Sequence, residues 1–104
     1  MKEIKAYMHR NRITDVIRAL KGAGFGNLSI VDVKGTLKAL DDKEQDYSVE
    51  LGTAIITEMK LELVCEEQRV DDAIQLIREY GRTGQEDAGW VYVIDIEQAI
   101  RIEE

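Results

Sequence analysis

The chain has 104 residues, of which 44% are hydrophobic and 34% are charged, and its formal net charge is −7. A chain of this length builds one compact domain with a thin stability margin, which assembly into an oligomer would improve. The acidic balance argues against nucleic acid or an anionic membrane as a partner. No apolar stretch approaches the roughly 20 residues of a membrane span, and the N-terminus has no signal-peptide core, so we expect a cytoplasmic protein without direct membrane insertion.

The first half of the chain has the pattern of a strand, a helix and a second strand. Alternating apolar residues over KEIKAYM, residues 2–8, predict a half-buried strand. Apolar residues at helical spacing then predict an amphipathic helix, with Asn11 as its N-cap and Gly22 or Gly24 at its end. Its apolar face consists of Ile13, Val16, Ile17 and Leu20. A second strand is expected over LSIVDVKG, residues 28–35.

The middle of the chain, residues 36–57, has neither a clean period nor a proline. Loops of this length without secondary structure are usually functional or disordered. A solvated loop and an element that docks onto a partner therefore both remain open. Its central charges are mostly acidic: Asp41, Asp42, Glu44, Asp46 and Glu50 against Lys43.

The second half repeats the first. Residue n set against residue n+57 places Ile4, Ala6 and Met8 on Leu61, Leu63 and Cys65. Strands are predicted over EMKLELVC (58–65) and WVYVID (90–95), and the helix between them ends at Gly81 or Gly84. The apolar face of this helix comprises Val70, Ala73, Ile74, Ile77 and Tyr80.

Two consecutive strand-helix-strand units predict an α+β protein with the ferredoxin-like (βαβ)2 fold, in which two helices cover one face of an antiparallel sheet. The residues expected to meet the helices are Ile4, Ala6, Leu61, Leu63 and Cys65. The residues expected on the other face are Lys60, Glu62, Val64, Val91 and Val93. Such a mixed face suits a subunit interface. Cys65 is interpreted as a small buried hydrophobe rather than a reactive thiol.

The usual signatures of catalysis and of metal binding are missing. His9 is the one histidine, and no zinc-type motif is present, so no metal requirement is expected. GAGFG, residues 22–26, follows a helix, whereas a dinucleotide-binding loop follows a strand and opens a helix. Ser29 and Ser48 have no histidine at a readable pairing distance. The sequence therefore indicates a non-catalytic protein.

With these elements in place, the chain resembles the P-II signal-transduction family over its full length. The resemblance is carried by the opening KEIKAY, by AGF at the end of the first helix, by VKG before the long loop, by TG in RTGQEDAGW (82–90) and by the closing AIRI. It implies a single domain over residues 1–104, with a T-loop at about 36–57, a B-loop-like segment at 82–90 and a C-terminal segment at 96–104. It also implies a homotrimer that binds adenine nucleotides between subunits and controls a membrane transporter or a metabolic enzyme through the T-loop.

The same resemblance implies functional positions. Thr83, Gly84 and Gly89 match backbone positions around the nucleotide phosphates, where glycine permits close approach. The other positions implied to bind the nucleotide are Ser29, Gly35, Lys38, Glu62, Val64, Gln85, Trp90 and Arg101. The T-loop positions implied to contact a partner are Asp41, Asp42, Glu44, Asp46, Tyr47 and Glu50. Trp90 either stacks on the ligand or fills the edge of its strand.

This sequence departs from the family at several positions. Gln85 and Trp90 stand where lysines are common, and Glu103 stands where a second phosphate-binding arginine is usual. Because charge-assisted contacts to phosphate contribute about 1.5 to 3 kcal/mol each, AMP or ADP is expected to bind better than ATP. Ala39 and Leu51 replace a glutamine used for Mg-ATP and 2-oxoglutarate and a tyrosine that is uridylylated, which argues against both forms of control.

Two other readings stay open at this stage. One is a trimeric stress or metal-tolerance protein similar to the CutA group, which shares the subunit fold but has no T-loop. The other is a small hydrolase similar to acylphosphatase, in which Arg10 or Arg12 would hold a phosphate. The long central loop, the TG loop and Arg101 favour the P-II reading.

Overall fold

The computed structural model describes residues 1–35, 56–84 and 89–103. One four-stranded sheet has the order β2-β3-β1-β4, and every neighbouring pair is antiparallel. The predicted α+β class and the (βαβ)2 arrangement are confirmed. The elements in chain order are β1 (Lys2–His9), a 3-10 turn (Arg10–Arg12), α1 (Ile13–Gly22), β2 (Leu28–Gly35), β3 (Ile56–Cys65), a second 3-10 turn (Glu67–Arg69), α2 (Val70–Gly81) and β4 (Gly89–Asp95).

The strand boundaries nearly match the prediction, and the exceptions lie at the loops. β3 begins at Ile56, so the last two positions of the predicted 36–57 loop belong to a strand that pairs with the end of β2. The start of α1 also differs, because Asn11 lies inside the 3-10 turn and Arg12 occupies the N-cap position without a side-chain cap bond. The predicted Asn11 cap is therefore wrong, because a 3-10 turn over Arg10–Arg12 leads directly into α1.

The core lies between the two helices and one face of the sheet. Ile4, Ala6, Leu61 and Leu63 are fully buried there, as predicted. Val16 and Leu20 of α1 and Ala73 and Ile77 of α2 complete its centre. Cys65 packs against this core but is only half-buried, and its burial raises the pKa of the thiol. A fully buried aliphatic side chain contributes about 1.5 to 3 kcal/mol relative to an exposed one, so this face holds the fold together.

Val91 and Val93 were expected on the face away from the helices, and this expectation is wrong. The register of β1 with β4 pairs Val91 with Ala6 and Val93 with Ile4. Directly opposed residues in an antiparallel pair lie on the same face, so both valines share the helix-covered face with these core residues. Val91 packs against the core, whereas Val93 remains 44% exposed on the edge strand.

The two helices end differently. α1 ends in a Schellman motif, in which Phe25 N–H donates to Leu20 O at 3.0 Å and Gly24 N–H donates to Lys21 O at 3.0 Å. Gly24 has φ +94°, which suits glycine. α2 ends at Gly81, which is buried against α1. Since consecutive helical residues are turned by about 100°, this orientation leaves Tyr80 exposed, contrary to the predicted apolar face.

An ion pair joins the neighbouring strands β1 and β4 where β1 begins and β4 ends. Lys2 at the start of β1 donates a hydrogen bond to Asp95 at the end of β4. This bond raises the pKa of Lys2 and lowers the pKa of Asp95.

In the described part of the chain, no helix is both long enough and apolar enough to cross a membrane.

Candidate functional site

The sheet face away from the helices is open and has an ionic centre. Lys5 Nζ lies 3.9 Å from Glu3 Oε1 and 4.0 Å from Glu62 Oε2. Lys60 Nζ lies 3.6 Å from Glu62 Oε1. These four side chains are about one-quarter to one-third exposed, and their charges balance one another. The predicted outward orientation of Lys60, Glu62 and Val64 agrees with their pairing to Tyr7, Lys5 and Glu3 on β1.

Apolar and aromatic side chains surround this ionic centre. The register places Trp90, Tyr92 and Ile94 of β4 on the open face, opposite Tyr7, Lys5 and Glu3. The rings of Tyr7 and Tyr92 meet edge to face with centroids 6.1 Å apart. The large hydrophobic side chains that this face leaves 40% to 52% exposed are Val31, Trp90, Tyr92 and Ile94. A balanced ionic centre with an apolar surround has the composition of a covered surface rather than a solvated one.

One pocket lies at the β2 edge of the sheet. It has a volume of about 400 Å³, and its lining includes three predicted nucleotide-binding residues, Ser29, Glu62 and Val64. Ser29 is directly opposite Glu62 in the β2–β3 register. The remaining lining consists of Glu3, Gly26, Asn27, Leu28 and Leu63. Hydroxyl, carboxylate and amide groups there can accept or donate hydrogen bonds to a base or a sugar.

A second pocket lies at the β4 edge. It has a volume of about 410 Å³, and three other predicted residues line it, Gly84, Gly89 and Trp90. Met8 and Ile77 give it an apolar floor next to the core. The remaining lining consists of Tyr7, Arg78, Gly81, Arg82 and Val91. The pocket is therefore lined by residues of β1, of the last turns of α2, of the segment that follows α2 and of the start of β4.

The glycines of this second pocket have backbone conformations that other residues avoid. Gly89 has φ +151°, and a Cβ built on it would lie 2.0 Å from the carbonyl oxygen of Tyr7. Glycine is required there because the strand passes too close to β1 for any side chain. Gly84 has φ +87° with no atom within 4 Å of a built Cβ, so only its dihedral favours glycine.

The two pockets lie on opposite edges of one sheet. Strands β3 and β1 separate β2 from β4. Ser29 on β2 is three inter-strand spacings, about 14 Å, from β4, and Glu62 and Val64 on β3 are two spacings, about 10 Å, from it, so the two predicted groups of residues line separate pockets within one chain. Gly35 closes β2 opposite Ile56, and Arg101 is exposed in the C-terminal segment beyond β4. Thr83 is partly exposed next to Gly84.

Several predicted positions lie outside the described residues. These are Lys38 and Gln85 of the nucleotide group and Asp41, Asp42, Glu44, Asp46, Tyr47 and Glu50 of the T-loop group. Within the described ranges, no group of three or more His, Cys, Asp or Glu side chains is placed to hold a metal ion. Arg10, named in the hydrolase reading, is within 2.7 Å of Asp32 through its Nη2 atom.

Sequence reasoning missed Arg78, Arg82 and Tyr7 as lining residues of the β4-edge pocket. Tyr7 reaches it because β1 pairs Tyr7 with Trp90, a contact across 83 positions of sequence. The two arginines could have been noticed as an i, i+4 pair of like charges immediately before the TG loop. Arg82 lies just beyond the end of the helix, so the pair combines a cation in the last helical turn with a second cation at the start of the loop.

The fold and the pockets define a small (βαβ)2 protein whose predicted site residues lie at two separate pockets of the sheet. The family model described as "Nitrogen regulatory protein P-II" matches residues 1–104, and the chain belongs to this family of regulatory signalling proteins. A nitrogen regulatory protein P-II of Rhodobacter capsulatus is 33% identical over 102 residues, covering 98% of this chain and 91% of the relative. The P-II proteins of Rhodospirillum rubrum and Porphyra purpurea are 30% and 28% identical with the same coverage.

Proposed function

We propose that the protein is a non-catalytic, homotrimeric P-II regulator that binds an adenine nucleotide between subunits. Through residues 36–57 it controls a membrane transporter or a metabolic enzyme in nitrogen or carbon regulation. The relatives named as nitrogen regulatory proteins P-II support the nitrogen branch of this proposal.

The division of the candidate site between the two sheet edges is the observation that carries the proposal. Ser29, Glu62 and Val64 line the β2-edge pocket, while Gly84 and Gly89 line the β4-edge pocket. About 14 Å of sheet separates the outer strands β2 and β4, and a boundary between two copies of the chain can bring the β2 edge of one copy next to the β4 edge of the other. A nucleotide has chemically different ends, and the polar β2-edge pocket suits its base and ribose. The glycine backbone at the β4 edge suits its phosphates.

The open sheet face supports the assembly. Its charges are paired within the face, so a second copy can cover it without leaving Lys5 or Glu62 unpaired. Its exposed Trp90, Tyr92 and Ile94 supply the apolar area that an interface core requires. The thin stability margin of a chain of 104 residues is a further reason for assembly.

The residues of the glycine loop determine the proposed nucleotide preference. Gln85, Trp90 and Glu103 leave fewer cations for phosphate than the family pattern has. AMP and ADP are therefore the proposed ligands, with ATP bound more weakly, and no metal ion is required for binding. The acidic residues 41–50 call for a basic surface on the regulated partner, and raised salt should weaken that complex.

The proposal is tested by light scattering and by calorimetric titration of the purified protein with adenosine, AMP, ADP and ATP. We expect a trimer, one site for each subunit, and affinities for AMP and ADP above that for ATP. A monomer, or a trimer that binds none of these compounds, would refute the proposal. A higher affinity for ATP than for ADP would refute the proposed preference alone.

A further inference from the structure

We propose that Arg78 and Arg82 form a guanidinium pair that binds the phosphate end of the ligand. They would supply the positive charge that Gln85 and Trp90 do not. This inference rests on the proposed function and adds to it the residues of α2 that recognise the anion.

The first reason is position. Both arginines line the β4-edge pocket together with Gly84, Gly89 and Trp90. Arg78 lies in the last turn of α2 and Arg82 directly follows the helix. Both side chains are exposed at the rim, above the apolar floor of the pocket. A phosphate held against the glycine backbone is therefore within the same pocket as two forked donors that match its geometry.

The second reason is the way Arg82 is held. Its Nε atom donates to the carbonyl oxygen of Arg78 at 3.1 Å. This bond fixes the base of the planar group, while within the described residues its two Nη atoms make no hydrogen bond. A guanidinium that is positioned in advance loses less side-chain entropy when it binds an oxyanion.

The third reason is unbalanced charge. Among the described residues, the cations that form ion pairs are Lys2, Lys5, Arg10 and Lys60. Neither Arg78 nor Arg82 forms an ion pair with a carboxylate of the described residues. Asp71 and Glu79 line a neighbouring groove together with both arginines but form no ion pair with either, so a bound anion would still gain the positive charge of two guanidinium groups. This occurs in a chain whose net charge is −7.

The helix dipole explains only part of this arrangement. A cation in the last turn of a helix is favourable, and Lys21 occupies the position in α1 that Arg78 occupies in α2 under the n+57 repeat. Arg82 lies beyond the end of α2, and its repeat equivalent is the buried Phe25. The first repeat therefore has one cation, Lys21, at the end of its helix. The second repeat has two arginines there, and both line the β4-edge pocket.

The test compares the wild-type protein with the double variant Arg78→Gln/Arg82→Gln. The matched control is Arg18→Gln/Lys21→Gln, which removes two exposed cations from α1. Adenosine, AMP and ADP are titrated by calorimetry, and inorganic pyrophosphate is titrated by fluorescence of Trp90, which is the single tryptophan and lines the same pocket. We expect the double variant to lose about tenfold in ADP affinity with adenosine affinity unchanged, and to lose the pyrophosphate response. The control should retain both.

The outcomes separate this inference from the proposed function. If the wild type binds nucleotides and the double variant keeps the same preference for ADP over adenosine, the guanidinium pair is wrong and the proposed function stands. If the wild type binds no adenine compound, the proposed function fails. In that case the pyrophosphate titration decides whether the two arginines bind an anion. A fluorescence response that is present in the wild type and the control but lost in the double variant supports the anion site. A pyrophosphate response that is absent in the wild type, or equal in all proteins, overturns it.

Discussion

The ends of helices α1 and α2 occupy equivalent places in the two repeats but differ in the side chains that surround them. After α1, Phe25 is 5% exposed, and the guanidinium carbon of Arg69 lies 4.1 Å from the centre of its ring. Arg69 Nη2 also donates to Ala23 O at 2.8 Å. After α2, no aromatic side chain closes the turn among the described residues, and Arg82 and Gly84 border a pocket.

The two repeats of a duplicated unit can therefore differ in the residues at their helix ends while they keep the same buried core. The apolar faces of both repeats pack in the same way, with Leu20 and Ile77 buried against the same sheet. At the first helix end the arginine serves packing, whereas at the second the arginines are exposed at a rim. We infer that the first end maintains stability and that the second end is available for binding.

The largest effect on stability is expected from removing the buried Phe25 ring at the end of α1. Phe25→Ala should lower the free energy of unfolding by about 4 kcal/mol, because it removes a buried ring and leaves a cavity. Tyr80→Ala in the last turn of α2 should lower it by much less, about 1 kcal/mol, because Tyr80 is 42% exposed. Urea denaturation of all proteins at one protein concentration measures both values. Equal losses would contradict the contrast between the two ends.

A smaller but still large effect is expected at the start of β4. Gly89→Ala places a methyl group 2.0 Å from Tyr7 O and should cost on the order of 3 kcal/mol. Gly84→Ala meets no atom within 4 Å and should cost about 1 kcal/mol through its dihedral alone. Thermal melting followed at the tryptophan band separates the two variants. A Gly89→Ala protein as stable as wild type would show that β4 does not pass this close to β1.

A moderate effect is expected from the residue that joins the repeats. Arg69→Gln removes the cation above Phe25 and the bond to Ala23 O, and should cost about 1 to 2 kcal/mol. Arg69→Lys should recover only part of this, because an ammonium group cannot stack as a planar guanidinium does. Equilibrium unfolding of the three proteins gives the comparison. Full recovery by lysine would mean that charge alone matters at this site.

The smallest effect is expected for the exposed pair Lys2 and Asp95. Because the pKa of Asp95 is lowered, its contribution to stability is present above its ordinary pKa and is lost as pH falls through the lowered value. Because the pKa of Lys2 is raised, its contribution is lost as pH rises through the raised value. Asp95→Asn should flatten the acid limb of the stability profile slightly, and Glu97→Gln, an exposed neighbour, should leave it unchanged.

Local patterns were sufficient to predict most of the fold. The alternation in LSIVDVKG predicted β2 with both of its observed ends, and helical spacing predicted the buried Val16 and Leu20. The errors at Asn11 and Tyr80 concern the ends of the two helices, whereas the error at Val91 and Val93 came from non-local pairing. The face occupied by Val91 depends on its register with Ala6, and no alternation within β4 reveals which partner it meets.

The candidate site was harder to predict than the fold, for the same reason. Ser29 and Glu62 were predicted from a family resemblance, and the structure places them opposite each other at one pocket. Arg78 was missed because its distance from Gly89 depends on how α2 packs against the sheet edge. In the sequence it has the appearance of an ordinary basic residue in the last turn of a helix.

The most direct test of a site shared between subunits is complementation in mixed trimers. Ser29→Arg would fill the β2-edge pocket, and Gly84→Asp would place an anion in the open space of the β4-edge pocket. Each variant alone should assemble and fail to bind ADP. Subunits of the two variants, unfolded together and refolded as mixed trimers, are then titrated with ADP.

A mixed trimer contains one boundary at which both edges are intact, so we expect ADP binding to reappear at one site in each mixed trimer. A site built within one chain would stay inactive in every mixture, because each chain carries one damaged edge. Recovery of binding in the mixture is therefore the expected result. Complete absence of binding in mixed trimers, with both variants folded, would contradict a nucleotide site that lies between subunits.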